Sequence, residues 1–206
     1  WQALPAPKTL IAMGLAGGDS GLSMADLQAA EHGLDLGPLR PSLLPRLQTA
    51  SGSIEAAPEL LVQALADLAA APVGSDDDSL LLIGRRDIRS NNSWMHNAPR
   101  LVKGKPRHQL LMHANDLRQR GLADGKKVRL RSESGEILVD VKACDELMPG
   151  VACLPHGFGH QRAGLKMQQA EKVLGASYND LTSFNALDGP SGNAALNGVR
   201  VWVEAL

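Results

Sequence analysis

The sequence predicts a mainly β protein, a closed six-stranded barrel with a few short helices, preceded by an irregular and helical connector. Three observations carry that expectation. Six short apolar or alternating runs follow residue 78 with little helical patterning between them. The stretch before them is rich in Ala, Leu, Pro and Gly and is broken repeatedly. Two long polar connections separate the strands, and connections of that length in a compact domain are usually functional.

The first part runs to about Val73. Ser23 reads as the N-cap of a helix from Met24 to Glu31, stopped by His32 and Gly33, and Pro58 reads as the first residue of a helix through Leu60, Leu61, Ala64, Leu65 and Leu68. Between these helices Gly37-Pro38, Pro41 and Pro45 predict an extended path. The second helix has one apolar stripe, and the segment has little else from which to form a core. It is expected to lie across the surface of a neighbouring domain. The acidic break Gly74-Ser75-Asp76-Asp77-Asp78 then gives the expected organisation, a connector over residues 1–75 and a barrel over residues 76–206.

The strands follow in order. Leu80 to Ile83 is a continuous apolar run, as a buried strand is, and Gln109 to Met112 is a second, followed by a short helix from Asn115 to Arg120 that Gly121 stops. Val128 and Leu130 alternate with Lys127, Arg129 and Arg131. After the turn Ser132 to Gly135, Ile137, Val139 and Val141 alternate with Leu138, Asp140 and Lys142, which predicts a hairpin with one buried face. Val151 to Leu154 and Val199 to Val203 complete the six. The connections left over are Gly84 to Arg107 and Pro155 to Gly198.

Composition narrows the function. At 206 residues and 44% hydrophobic content the chain can form one core of ordinary domain size, or a core with an appended segment. A net charge of −1 and 3% aromatic residues argue against nucleic acid as a partner. No apolar run approaches the roughly 20 residues that span a bilayer, and the N-terminus lacks a signal-peptide pattern. A cytoplasmic location is expected, with no membrane segment. Cys144 and Cys153 form no CxxC pair and are expected to be small core thiols rather than metal ligands. Two cysteines cannot hold an iron–sulfur cluster alone. The chain starts at Trp1, as a fragment or processed product would.

The first connection carries three guanidinium groups, Arg85, Arg86 and Arg89, and then Ser90, Asn91, Asn92, Ser93, Trp94, Met95, His96 and Asn97. Guanidinium forks match phosphate oxygens, and Ser, Asn and His bond the edges of heterocycles and ribose hydroxyls. The competing reading is a solvated polar loop with Trp94 as its packing anchor. The second connection opens Pro155-His156-Gly157-Phe158-Gly159-His160, where the glycines permit close approach of backbone to a ligand. His156 and His160 lie four apart, without the Glu of an HExxH zinc motif. A hydrolase using Ser93 or Ser191 with His96 or His156 is a rival reading that lacks a GxSxG elbow and a carboxylate orienter. A protein-interaction or adaptor barrel without cofactor is another.

The ordered series resembles a known family. It comprises Gly84-Arg85-Arg86, Ser90 to Asn97 and Arg100-Leu101-Val102; then Leu111-Met112-His113, Ala114 to Gly125 and Val128 to Arg131; then Met148-Pro149-Gly150, Leu154 to Gly157, Asn179 to Thr182, Asp188 to Asn193 and Leu196 to Val199. Over about 120 residues this resembles the C-terminal dinucleotide-binding domain of molybdopterin oxidoreductases of the dimethyl sulfoxide reductase type, which include formate dehydrogenase-like and nitrate reductase-like enzymes. Ala30 to Leu39 resembles the connector that precedes it.

The resemblance implies a double-psi β-barrel that binds molybdopterin guanine dinucleotide. On it, Gly84, Arg85, Arg86, Ser90, Asn91, Asn92, Ser93, Trp94, His96 and Asn97 would lie along the dinucleotide, with the arginines near its pyrophosphate. His156, Gly157 and Gly159, with Phe158 between them, would face the pterin. Asn179, beside Asp180, would bond a ring or ribose edge, and Ser191 and Asn193 would complete the rim. Molybdenum or tungsten, any iron–sulfur cluster and any electron-transfer partner would belong to the remaining domains of a parent enzyme. No catalytic residue and no metal ligand are expected in this chain, and by itself it is expected to be inactive in redox chemistry.

Overall fold

The computed structural model describes residues 4–70 and 78–206. Its chain contacts divide it into two compact units, Trp1–Ala56 and Ala57–Leu206. Residues 74–77 of the expected acidic break lie outside the described residues.

The first unit holds helices α1 (Pro7–Gly17), α2 (Met24–Ala29) and α3 (Leu43–Arg46). Ser23 is the N-cap of α2: its hydroxyl accepts from the Asp26 amide while the Asp26 carboxylate accepts from the Ser23 amide at 2.7 Å, a reciprocal capping box. The helix ends at Ala29, two residues short of Glu31, because Ala30 leaves helical geometry at φ −93° and ψ 80°. Helix α1 was not anticipated; Pro7 opens it with the φ a first turn needs. Helix α3 corrects the extended path expected through Pro45. As the third residue of a four-residue helix, Pro45 lacks only an N–H that has no partner within so short a helix. None of these helices buries a residue.

The second unit opens with α4 (Glu59–Ala70). Pro58 stands one position before it, its carbonyl accepting from Leu61 and Val62. Leu61, Leu65 and Leu68 form the expected stripe, and all three are exposed.

The barrel consists of β1 (Leu80–Arg85), β2 (Gln109–Met112), β3 (Lys127–Arg131), β4 (Glu136–Ala143), β5 (Val151–Pro155) and β6 (Val199–Ala205). They close in the order β1-β5-β2-β4-β3-β6. Two pairs are parallel, β1 with β5 and β2 with β4, and the remaining four are antiparallel. Two parallel pairs of non-consecutive strands in one small closed barrel fit the double-psi arrangement, and closure leaves no exposed sheet edge. Alternation places Leu80, Leu82, Leu110, Met112, Val128 and Leu130 inside, together with Ile137, Val139, Val141, Leu154 and Val201. The expected inward face of the β3–β4 hairpin is the observed one.

Strand β1 runs two residues beyond Ile83, because β5 continues to pair with it through Arg85 and Pro155. Cys144 lies just past the end of β4 and is only half-buried, which corrects its expected place as a core thiol; Cys153 is a buried core thiol. Helix α6 (Ala114–Gln119) follows α5 (Pro99–Val102) and the second strand. It carries Asp116, whose buried carboxylate accepts from the Gly150 amide at 2.8 Å and lies 3.6 Å from the Arg120 guanidinium. One side chain thereby ties the helix after β2 to the Met148-Pro149-Gly150 turn that enters β5.

Candidate functional site

The parallel pairing of β1 and β5 sets the site, because parallel strands deliver their following loops to the same end of the barrel. The loop after β1 and the loop after β5 meet there. Gly84 faces the His156 ring so closely that a Cβ would collide with it. Gly157, at φ +91°, has the Asn92 carbonyl and Ser93 amide where a side chain would stand. Asn91 and Asn92 adopt φ of 42° and 62°, the left-handed region that few residues other than Gly enter and that Asn tolerates best. Such backbone is held only where its surroundings impose it, and it concentrates at ligand sites.

Beneath this crossing lies a row of rings. The His96 ring is 4.7 Å from Phe158, Phe158 is 4.8 Å from His108, and His156 packs 4.0 Å from Tyr178. His96 Nδ1 and His160 Nε2 are 2.7 Å apart, so one of the two nitrogens carries the proton they share. Burial holds His96 below the ordinary imidazole range, aided by His160, and burial does the same to His156, aided by the charge of Arg86. The Tyr178 hydroxyl donates to the Leu196 carbonyl at 2.6 Å, and burial pushes its pKa up to about 12, so it remains a neutral donor.

His108 is 9% exposed, and burial depresses its pKa to about 4. Its Nε2 faces the Ala176 carbonyl at 2.9 Å, which can only accept, so Nε2 bears the proton. The unfolded chain protonates this imidazole near pH 6.5 and the folded chain only near pH 4, so stability falls as pH drops between the two. The expected loss from His108 between pH 7 and pH 4.5 is about 2 kcal/mol, readable as a fall in urea midpoint that His108→Leu diminishes. A midpoint equally pH-dependent in the variant would remove His108 from this role.

The expected site residues separate into groups. Gly84, His156, Gly157, Asn92 and Ser93 meet at the crossing, and His96, Phe158 and Gly159 lie directly beneath or beside it. Ser90 is buried and bonds back to the Asp87 carbonyl at 3.1 Å, while Asn97 accepts the Ala170 amide at 3.0 Å, so both shape the loops. Arg85 turns inward: its guanidinium donates to the carbonyls of Cys153, Arg107 and Gln109 at 3.0 to 3.1 Å. Arg86, Asn91, Asn92 and Trp94 are exposed, Trp94 by 80%, and their side chains have no hydrogen-bond or ion-pair partner among the described residues. Trp94 is therefore no packing anchor. Asn179 is exposed at the start of a short 3-10 turn, and Asp180 pairs with Arg162. Ser191 and Asn193 hydrogen-bond within their own turn, 188–193, capped by the Asp188 carboxylate.

A cavity of about 670 Å³ opens beside the crossing, and of the residues singled out in the sequence Arg89, Ser90, His96 and Phe158 line it. Sequence reasoning missed its other walls, above all Arg107 and His108. The signal was present in the run Lys103-Gly104-Lys105-Pro106-Arg107-His108, a local cluster of cations in a chain of nearly neutral charge.

An outward guanidinium, two unpartnered carboxamides and an exposed indole form a donor set suited to a large anion with flat heterocyclic ends. Comparisons with known proteins agree. The family described as the Molydopterin dinucleotide binding domain matches residues 80–200. A tetrathionate reductase polypeptide of Salmonella typhimurium is 28% identical over 125 residues, 52% of this chain and 12% of that protein. Dimethyl sulfoxide/trimethylamine N-oxide reductase of Rhodobacter capsulatus is 45% identical over 47 residues, 23% of this chain and 6% of that protein. The chain thus spans a small part of the length of these relatives. Acetylene hydratase from Pelobacter acetylenicus shares the fold, with a TM-score of 0.53 at 19% identity over 62% of this chain and 18% of that one. With an ordered series of motifs, a closed double-psi-like barrel and a family match over most of the barrel, this chain belongs to the molybdopterin dinucleotide-binding domain family.

Proposed function

We propose that the loops after β1 and β5 grip molybdopterin guanine dinucleotide, and that the chain serves as the cofactor-gripping domain of a larger molybdenum or tungsten oxidoreductase. The observation that carries this reading is the crossing of the two loops at Gly157, which holds Arg86, Asn91, Asn92 and Trp94 outward with their polar groups unspent. When bound, such a cofactor supplies a metal held by dithiolene sulfurs. This chain's residues bind and orient: Arg86 stands for the pyrophosphate, the asparagine amides for ring and ribose edges, and the Trp94 indole for a flat face. Asn179, Ser191 and Asn193 stand farther out as rim contacts. The metal ligand, any iron–sulfur cluster and the electron-transfer partner lie with other domains. The exposed stripe of α4 is a surface for such a domain to cover.

The two adjacent arginines separate the reading from a structural one. Arg86→Ala is expected to weaken dinucleotide binding about tenfold with no change in unfolding temperature, since a lost charge-assisted bond to phosphate is worth roughly 1.5 kcal/mol. Arg85→Ala is expected to lower the unfolding temperature, because three carbonyls lose their donor. Calorimetric titration and thermal melts of both variants check this. Unchanged binding in Arg86→Ala would remove it from the phosphate site.

A further inference from the structure

We propose that the 670 Å³ cavity beside the loop crossing is a second ligand site, for a nucleoside phosphate or a molecule of the same chemistry, an anion carried on a flat body. The inference rests on the cavity's own walls and not on the cofactor reading.

Its charge is the first argument. The chain as a whole carries 21 Lys and Arg against 22 Asp and Glu, yet the cavity is lined by Arg89, Lys105, Arg107, Lys127 and Lys172 with Asp140 as the one carboxylate. Asp140 pairs with Lys127 at 3.3 Å and Asp87 pairs with Arg107 at 3.5 Å. Arg89, Lys105 and Lys172 have no carboxylate partner among the described residues. Three uncompensated cations around one concavity repel each other, and an anion offsets that repulsion.

The body of the ligand is argued from the remaining wall. Leu101, Val102, Leu138, Phe158 and Val173 present apolar surface, and the volume falls in the range of sites for small organic molecules. An inorganic anion would leave that surface wet. His108 adds a hydrogen-bonding edge: with Nε2 donating to Ala176, Nδ1 keeps a lone pair that no described residue satisfies. An acceptor on a buried imidazole suits the N–H of a heterocycle. The walls come from the segments 89–96, 101–108 and 172–176, the hairpin β3–β4 and Phe158, so the site is built from five separate stretches rather than from one solvated loop.

The chemistry has two sources, a free nucleotide and the nucleotide end of the bound cofactor. The test is calorimetric titration of the 206-residue chain with guanosine diphosphate, with guanosine and inorganic pyrophosphate as probes lacking one half. Guanosine diphosphate is expected to bind at least about tenfold more tightly than either half, since both walls are then used. Lys105→Glu, on an exposed side chain without a partner, and Leu138→Trp, on a half-exposed side chain that narrows the cavity, are each expected to weaken it about tenfold. Repeating the titration on chain saturated with molybdopterin guanine dinucleotide tells the sources apart. Simultaneous binding is expected of a second site; exclusion, with dinucleotide affinity lowered by Lys105→Glu, would show the cavity to be the cofactor's own end and overturn the proposal. No binding of guanosine diphosphate at millimolar concentration, or binding untouched by both substitutions, would overturn the proposal.

Discussion

Gly157→Ala is expected to reduce dinucleotide binding about 100-fold, the scale on which a displacement of about 1 Å removes a positioned contact. Two effects combine. The residue sits at φ +91°, which costs an L side chain about 1–3 kcal/mol. Its new Cβ would also collide with the Asn92 carbonyl and the Ser93 amide, backbone atoms that no rotamer change moves aside. The loop after β1 must shift, taking Arg86, Asn91 and Trp94 out of register. Gly164→Ala isolates the second effect, because Gly164 has φ +88° with open space where its Cβ would stand. That control is expected to share the conformational penalty and to keep binding within about twofold of the parent, given equal strain and no collision. Equal losses in both variants would show that the crossing does not organise the site.

Asp116→Ala is expected to give the largest loss of stability, about 3 kcal/mol, as breaking a buried charge pair does. The Gly150 amide would be left without its carboxylate acceptor, and Arg120, its side chain 9% exposed, would keep Asp78 as its carboxylate partner and the backbone carbonyl of residue 116. Unfolding temperature is expected to fall by roughly 10 °C for a unit of this size. Asp116→Asn retains an acceptor for Gly150 and is expected to recover about half of the loss. Melting curves of the three proteins check this. An unchanged midpoint in Asp116→Ala would show that the helix after β2 and the turn before β5 are held by apolar packing alone.

The barrel was legible because its strands are short and half of them alternate. Ile137, Val139 and Val141 against Leu138, Asp140 and Lys142 can satisfy one buried face in only one register. The two loops were legible from length and polarity, and their meeting followed once β1 and β5 paired in parallel. Direction was not legible. Arg85 and Arg86 are chemically identical neighbours, but the first, the last residue of β1, spends its guanidinium on three carbonyls, and the second, just beyond the strand, stands exposed. Likewise Ser90 and Asn97 read as ligand-binding groups, and their bonds to backbone within the protein were not legible. The cavity was hidden for a different reason: Lys105, Lys127 and Lys172 are far apart in sequence, and each alone reads as a solvated surface cation. Helices α1 and α3 escaped because no side-chain cap announces them: Ser23 caps α2, whereas neither Ala6 nor Ser42 makes a capping bond.

The most direct test of the cofactor site is hydrogen exchange of the 206-residue chain, measured with and without saturating molybdopterin guanine dinucleotide. Protection is expected to concentrate in amides 86–97 and 157–160, with smaller changes near Asn179 and none on the far strands β3 and β6. Binding that protects neither loop, or protection confined to other segments, would contradict the assignment of the cofactor to the Asn92–Gly157 crossing.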